Sequence, residues 1–88
     1  MAIEFDPAKG SRNLRERGLS FASVAELDWS TARVAPSRQT QHGEARFVAI
    51  GRIEGVVCVT IFTVRGENLR VISLRRAKRR EVRDYEQA

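Results

Sequence analysis

Val56-Val57-Cys58-Val59-Thr60-Ile61-Phe62-Thr63-Val64 is the stretch on which the fold turns. It is apolar at both parities, so a strand made from it must be covered on both faces, or nearly so, and belongs in the middle of a sheet. Short glycine-containing segments, Arg52-Ile53-Glu54-Gly55 and Arg65-Gly66-Glu67, separate it from two further strand-like runs at residues 45–51 and 68–74. Three strands joined this tightly predict an antiparallel meander.

Upstream of the meander the pattern is helical. Residues 3–5 alternate like a short strand. Asp6-Pro7 then supplies a side-chain cap followed by proline at the first helical position, so a helix is expected over residues 7–17, with Gly18 as its stop. Ser20 caps a second short helix over residues 21–27, whose Phe21, Val24, Ala25 and Leu27 make an apolar face, and Leu14 and Leu19 help to close the pair. Residues 28–43 are polar and irregular, apart from a possible edge strand at residues 32–35. A connection that long in a small domain is often functional, which makes residues 35–43 a candidate substrate-facing or mobile segment. Residues 77–85 suit a helix charged on all sides, anchored only by Ala77, Val82 and Tyr85 and therefore weakly docked. The expected architecture is an α+β domain over residues 1–88: an N-terminal helix pair packed on an antiparallel three- to four-stranded sheet, ending in a basic helix.

Composition narrows the function classes. Eighty-eight residues, 42% hydrophobic and 31% charged, make one small globular core. A chain this short buries only about 60–65% of its unfolded surface, so a partner subunit is expected to add stability. Cys58, the single cysteine, reads as a small buried hydrophobe, and the absence of a disulfide framework fits a reducing cytoplasm. Neither a signal peptide nor a membrane span is legible, no Cys/His/Asp set has metal-ligand spacing, and no phosphate-binding loop or serine-nucleophile motif occurs. A soluble cytoplasmic protein with no cofactor and no bound metal is expected.

Charge is distributed unevenly. Residues 65–83 hold eight basic residues against two acids, whereas residues 1–64 hold eight against seven, so the net charge of +5 sits almost wholly near the C-terminus. A basic surface mounted on a strand calls for a polyanionic partner, with nucleic acid first in line.

Glu4-Phe5-Asp6-Pro7 with Lys9 and Asn13-Leu14, then Gly43-Glu44 with Arg46, Ile50-Gly51, Thr63 with Arg65-Gly66, Arg70 with Ile72-Ser73, Arg75, Ala77, Glu81 and Tyr85 together resemble the BrnT toxins of type II toxin–antitoxin systems. The resemblance covers nearly the whole chain. It implies a RelE-like ribonuclease fold, RNA cleavage that inhibits translation, and a toxin–antitoxin hetero-oligomer in which a BrnA-type antitoxin neutralises the toxin. DNA would be touched only indirectly, through the antitoxin. One departure is visible: many members resemble Lys-His-Gly at the end of the first helix, where this chain has Glu16-Arg17-Gly18. Arginine keeps a donor but does not exchange a proton near neutral pH. Either that histidine is not essential or this protein is altered in activity.

RNA can be cut without metal when its own 2′-hydroxyl attacks the adjacent phosphate, which requires a base, an acid and cations at the phosphorane-like transition state. Arginine suits the last role because its planar fork grips phosphate oxygens in pairs. Strict alternation along residues 69–74 places Arg70 on the face of Ile72 and Leu74, and Ser73 with Arg75 on the opposite one. Arg70, Arg75 and Arg65 are the candidates for phosphate binding, with His42, Lys9 or Glu81 for proton transfer. Arg76, Lys78, Arg79, Arg80, Arg83 and Tyr85 are candidates for wider RNA contact. Two competing readings carry the same charge pattern: a noncatalytic nucleic-acid-binding module, and a protein-interaction domain with an acidic partner. In the first the arginines bind nucleic acid without cutting it, in the second they meet the acidic partner, and a plainer alternative to any such role is that they form structural ion pairs with Glu44, Glu67 or Glu81 or solvate a surface.

Overall fold

The computed structural model describes residues 2–38 and 43–87. Among them, strands β1 (Ile3–Glu4), β2 (Arg33–Pro36), β3 (Phe47–Ile53), β4 (Val56–Arg65) and β5 (Asn68–Arg76) form one sheet in the order β1-β5-β4-β3-β2. Helix α1 (Pro7–Arg17) and a 3₁₀ helix (Phe21–Glu26) lie between β1 and β2, and helix α2 (Arg79–Gln87) follows β5.

The α+β class and the central place of β4 agree with the sequence. Strand number does not: there are five strands rather than three or four, and the sheet is mixed, because β1 runs parallel to β5. Only Ile3 and Glu4 pair there, with Leu69 and Arg70, and the Leu69 amide donates to the Ala2 carbonyl at 2.9 Å. A two-residue strand that finds its partner at the far end of the chain leaves no local periodicity to read. Residues 33–36 form the opposite edge as β2, close to the edge strand expected over residues 32–35, so of the expected loop Ala35 and Pro36 belong to a strand.

Capping chemistry fixes α1 as expected. Asp6 Oδ1 accepts from the Ala8 amide at 2.9 Å, Pro7 opens the helix, and the Gly18 amide donates to the Leu14 carbonyl. The second helix forms where expected, capped by Ser20, and is 3₁₀, which takes Ala25 off its apolar face. Phe21, Val24 and Leu27 are buried while Ala25 is exposed, a spacing of three that matches three residues per turn. Between β3 and β4, Glu54 and Gly55 both have positive φ, 49° and 84°, as a two-residue type I′ hairpin requires.

α1 and the 3₁₀ helix share one face of the sheet. There Phe21, Val24 and Leu27 pack with Ala49, Ile53, Cys58, Phe62, Leu69, Val71 and Leu74. Phe62 stacks with Phe47 and meets Trp29 edge-on, and Phe5 meets Phe21 edge-on. Cys58 is 2% exposed, and burial pushes its thiol pKa up, consistent with an inert core residue. The other parity of β4 is also covered, since Val57 and Val59 are buried, and this double burial is why the run is apolar throughout. No helix among the described residues is long and apolar enough to cross a membrane.

Candidate functional site

The site is organised by an irregularity in β5. Phe62 pairs with Val71 and Ile61 pairs with Ser73, so Ile72 is an extra residue without an opposite number, a β-bulge. Beyond it the parity of β5 is reversed: Leu69 and Val71 are buried before the bulge and Leu74 after it. Strict alternation would put Arg70 and Arg75 on opposite faces. Instead Arg70 stands across from Thr63, Ser73 from Ile61 and Arg75 from Val59, and these three β4 residues share one side. The bulge therefore corrects the expectation that Arg70 shares a face with Leu74, and gathers Arg70, Ser73 and Arg75 on the face away from the core.

Arg65 belongs to the same side, two residues beyond Thr63 on β4. The arginines of this face are held by carboxylates. Arg75 grips Glu81 in a two-pronged pair at 2.7 and 2.8 Å, Arg65 meets Glu44 at 3.2 Å, Arg70 meets Glu4 at 3.5 Å, and Arg52 meets Glu86 at 2.8 Å. The Arg75 guanidinium, together with the Lys78 amide that Glu81 accepts at 2.7 Å, lowers the Glu81 carboxyl to about 2. Reciprocally, the hydrogen bonds to Glu81 raise the Arg75 pKa. Glu81 also takes the N3 half of a capping box on α2, so one carboxylate both starts the helix and aims the arginine. Of the three acids expected to compete for these arginines, Glu44 and Glu81 do so; for Arg70 the partner is Glu4, brought in by the β1–β5 pairing.

α2 crosses one end of this face. Glu81 engages Arg75 of β5, Glu86 engages Arg52 of β3, and the guanidiniums of Arg33 and Arg52 lie over the Tyr85 ring, 5.9 and 5.3 Å from its centre. The Tyr85 hydroxyl is bonded to the Thr31 carbonyl at 3.1 Å, and the residue is 8% exposed. Tyr85 is thus the anchor of α2, with little surface left for stacking on a base. The helix is pinned near its start by Glu81 and near its end by Tyr85 and Glu86, more firmly than its sparse apolar anchors suggested. Arg79, Arg80 and Arg83 are exposed on it, as is Lys78 just before it.

Other candidates separate from this group. Arg76 donates to the carbonyl of Arg17 at the end of α1, and Arg17 donates to the carbonyl of Leu74, both at 3.0 Å, so the two form a clamp between α1 and β5. Arg17 is therefore engaged with the strand that bears Arg70 and Arg75. Lys9 lies on α1, where with Arg12, Asn13, Glu16, Arg17, Phe21, Ile72 and Ser73 it lines a cleft of about 240 Å³ along the β5 bulge. His42 lies outside the described residues. Among the described residues, no group of three or more His, Cys, Asp or Glu side chains could hold a metal ion.

Sequence reasoning passed over Arg12, Arg33 and Arg52. The alternation Val48, Ile50, Arg52 already puts Arg52 on a single strand face. Arg33 and Arg12 carried no such local mark, because their neighbours come from α2 and β5.

A family model described as the ribonuclease toxin, BrnT, of a type II toxin–antitoxin system matches residues 5–81. No curated protein matches the chain.

Proposed function

This chain belongs to the BrnT family of ribonuclease toxins of type II toxin–antitoxin systems, and from that premise we propose that it cleaves RNA without a metal, using the arginine face of β5. In this reading the 2′-hydroxyl of the substrate attacks the neighbouring phosphorus, a base removes its proton, the bond from phosphorus to the 5′-oxygen breaks, and an acid protonates that oxygen. A 2′,3′-cyclic phosphate results. Arg70 and Arg75 hold the phosphate oxygens as negative charge accumulates on them, and Arg65 assists from the hairpin end.

The observation that carries the reading is the bulge at Ile72, which turns Arg70 and Arg75 to one side of a rigid strand. Their carboxylate partners keep both guanidiniums ordered before substrate arrives, at the cost that a phosphate must displace or share them. Glu81, held at about 2 by Arg75 and the Lys78 amide, is a poor proton acceptor. In this reading His42 serves as the base, imidazole being the side chain best suited to both taking and giving a proton, and Lys9 as a donor to the leaving oxygen. Neutralisation follows if an acidic segment of a BrnA-type antitoxin replaces the carboxylates on the same face, forming a toxin–antitoxin hetero-oligomer that meets DNA only through the antitoxin.

Cleavage of a labelled single-stranded RNA by the purified protein in excess EDTA tests this. Activity is expected to persist for the parent protein and to fall by roughly 10²-fold in folded Arg70→Ala or Arg75→Ala variants. Activity abolished by EDTA, or both variants at the parental rate, would overturn it.

A further inference from the structure

We infer that the cleft between α1 and the outer edge of β5 is a second phosphate-binding site, which takes the backbone of the same single-stranded RNA one step away from the cleaved bond; the inference rests on the arginine-face reading above. β1 covers β5 only as far as Arg70, so beyond that point the strand edge at Ile72 and Ser73 borders α1 instead of another strand. Arg12 and Asn13 each lie three or four residues from both Lys9 and Glu16, so the four share the α1 face that lines this cleft. Arg17 closes its end through the Leu74 carbonyl.

Charge favours an anion there. The lining carries Lys9, Arg12 and Arg17 against the single carboxylate of Glu16. The four ion pairs found among the described residues hold Arg52, Arg65, Arg70 and Arg75, so neither Lys9 nor Arg12 has a carboxylate within pairing distance. The sheet arginines thus stand pre-neutralised while those of the cleft do not, and the cleft attracts a phosphodiester with less internal competition. The amide of Asn13, 8% exposed, is spent on the Leu19 carbonyl at 2.9 Å, which fixes the floor rather than contacting a ligand. Ser73 links the two regions: it borders the cleft and lies between Arg70 and Arg75 on β5. At about 3.3 Å per strand residue it stands within about 10 Å of either arginine's position along β5, so an RNA strand that rounds the open edge of β5 at Ser73 carries one phosphate to Arg70 and Arg75 on the outer face and a neighbouring one to Lys9 and Arg12 on the α1 side.

The test compares Arg12→Gln with Arg15→Gln, a nearby exposed α1 position outside the cleft, by binding a 2′-O-methylated oligonucleotide that cannot be cut, over a series of salt concentrations. Losing one phosphate contact lowers the salt slope by about 0.7, which amounts to about fivefold weaker binding near 0.1 M salt. That loss is expected in Arg12→Gln and not in Arg15→Gln. Equal effects in the two variants, or no effect in either, would overturn the site, as would an Arg12→Gln defect confined to antitoxin binding. Because the probe is not cut, this outcome is independent of whether Arg70→Ala abolishes cleavage, so a failure of the catalytic reading and a failure of the cleft are told apart.

Discussion

Replacing Glu81 by glutamine removes the charge that orders Arg75 while leaving an oxygen able to accept from the Lys78 amide. Taken at face value, a carboxyl lowered from 4.5 to about 2 corresponds to roughly 3 kcal/mol of stabilisation. Both side chains remain about a third exposed, 34% for Arg75 and 31% for Glu81, so water screens the pair and the realised figure is closer to about 1 kcal/mol. For a domain of this size that lowers the melting temperature by about 4–8 °C. The sign of the pH dependence follows from the direction of the shift. A carboxyl lowered in the folded state stabilises fully above its unfolded value of 4.5 and loses that contribution as pH falls toward about 2. Glu81→Gln is therefore expected to melt below the parent by a constant margin from about pH 7 to pH 5, with the gap closing steadily on further acidification. Circular-dichroism melts across that range decide the matter. Equal melting at neutral pH would mean that the pair contributes nothing, and a gap unchanged in acid would locate the deficit in packing rather than charge.

Gly10→Ala ordinarily stabilises a helix interior by about 0.5–1 kcal/mol, but here the new Cβ would stand 2.9 Å from two carbons of the Phe5 ring, so the variant is expected to melt lower than the parent; a higher melting temperature would show that the ring yields freely. Tyr85→Phe leaves the Thr31 carbonyl without its hydroxyl donor and is expected to cost about 1 kcal/mol in urea unfolding, with hydrogen exchange in α2 accelerated ahead of the sheet; unchanged exchange would mean that the helix is held by its ion pairs alone.

How much of the site was legible follows the range of the interactions involved. The basic strand was plain, because its arginines are consecutive in sequence with the apolar residues that make them strand-borne. Their relative placement was not, since a bulge inserts one residue and inverts every side chain beyond it, and nothing in Arg70-Val71-Ile72-Ser73-Leu74-Arg75 marks Ile72 as the extra one. Glu4 as the partner of Arg70 was equally hidden, because it reaches that arginine only through a two-residue parallel pairing. Tyr85 could be read locally as either a base-stacking group or an anchor, and its burial against Thr31, Arg33 and Arg52 makes it the anchor.

Local physics written along the chain determined the elements themselves: the Asp6-Pro7 cap, the Gly18 stop, the Glu54-Gly55 hairpin and the doubly apolar β4 each depend on neighbours a few residues away. Family membership was likewise carried by the ordered residues of the sequence. Tertiary structure alone decided which arginines face together, which carboxylate meets each, and that α1 lies beside the open edge of β5, because those outcomes are set by strand register and by contacts such as Arg70 with Glu4, 66 positions apart.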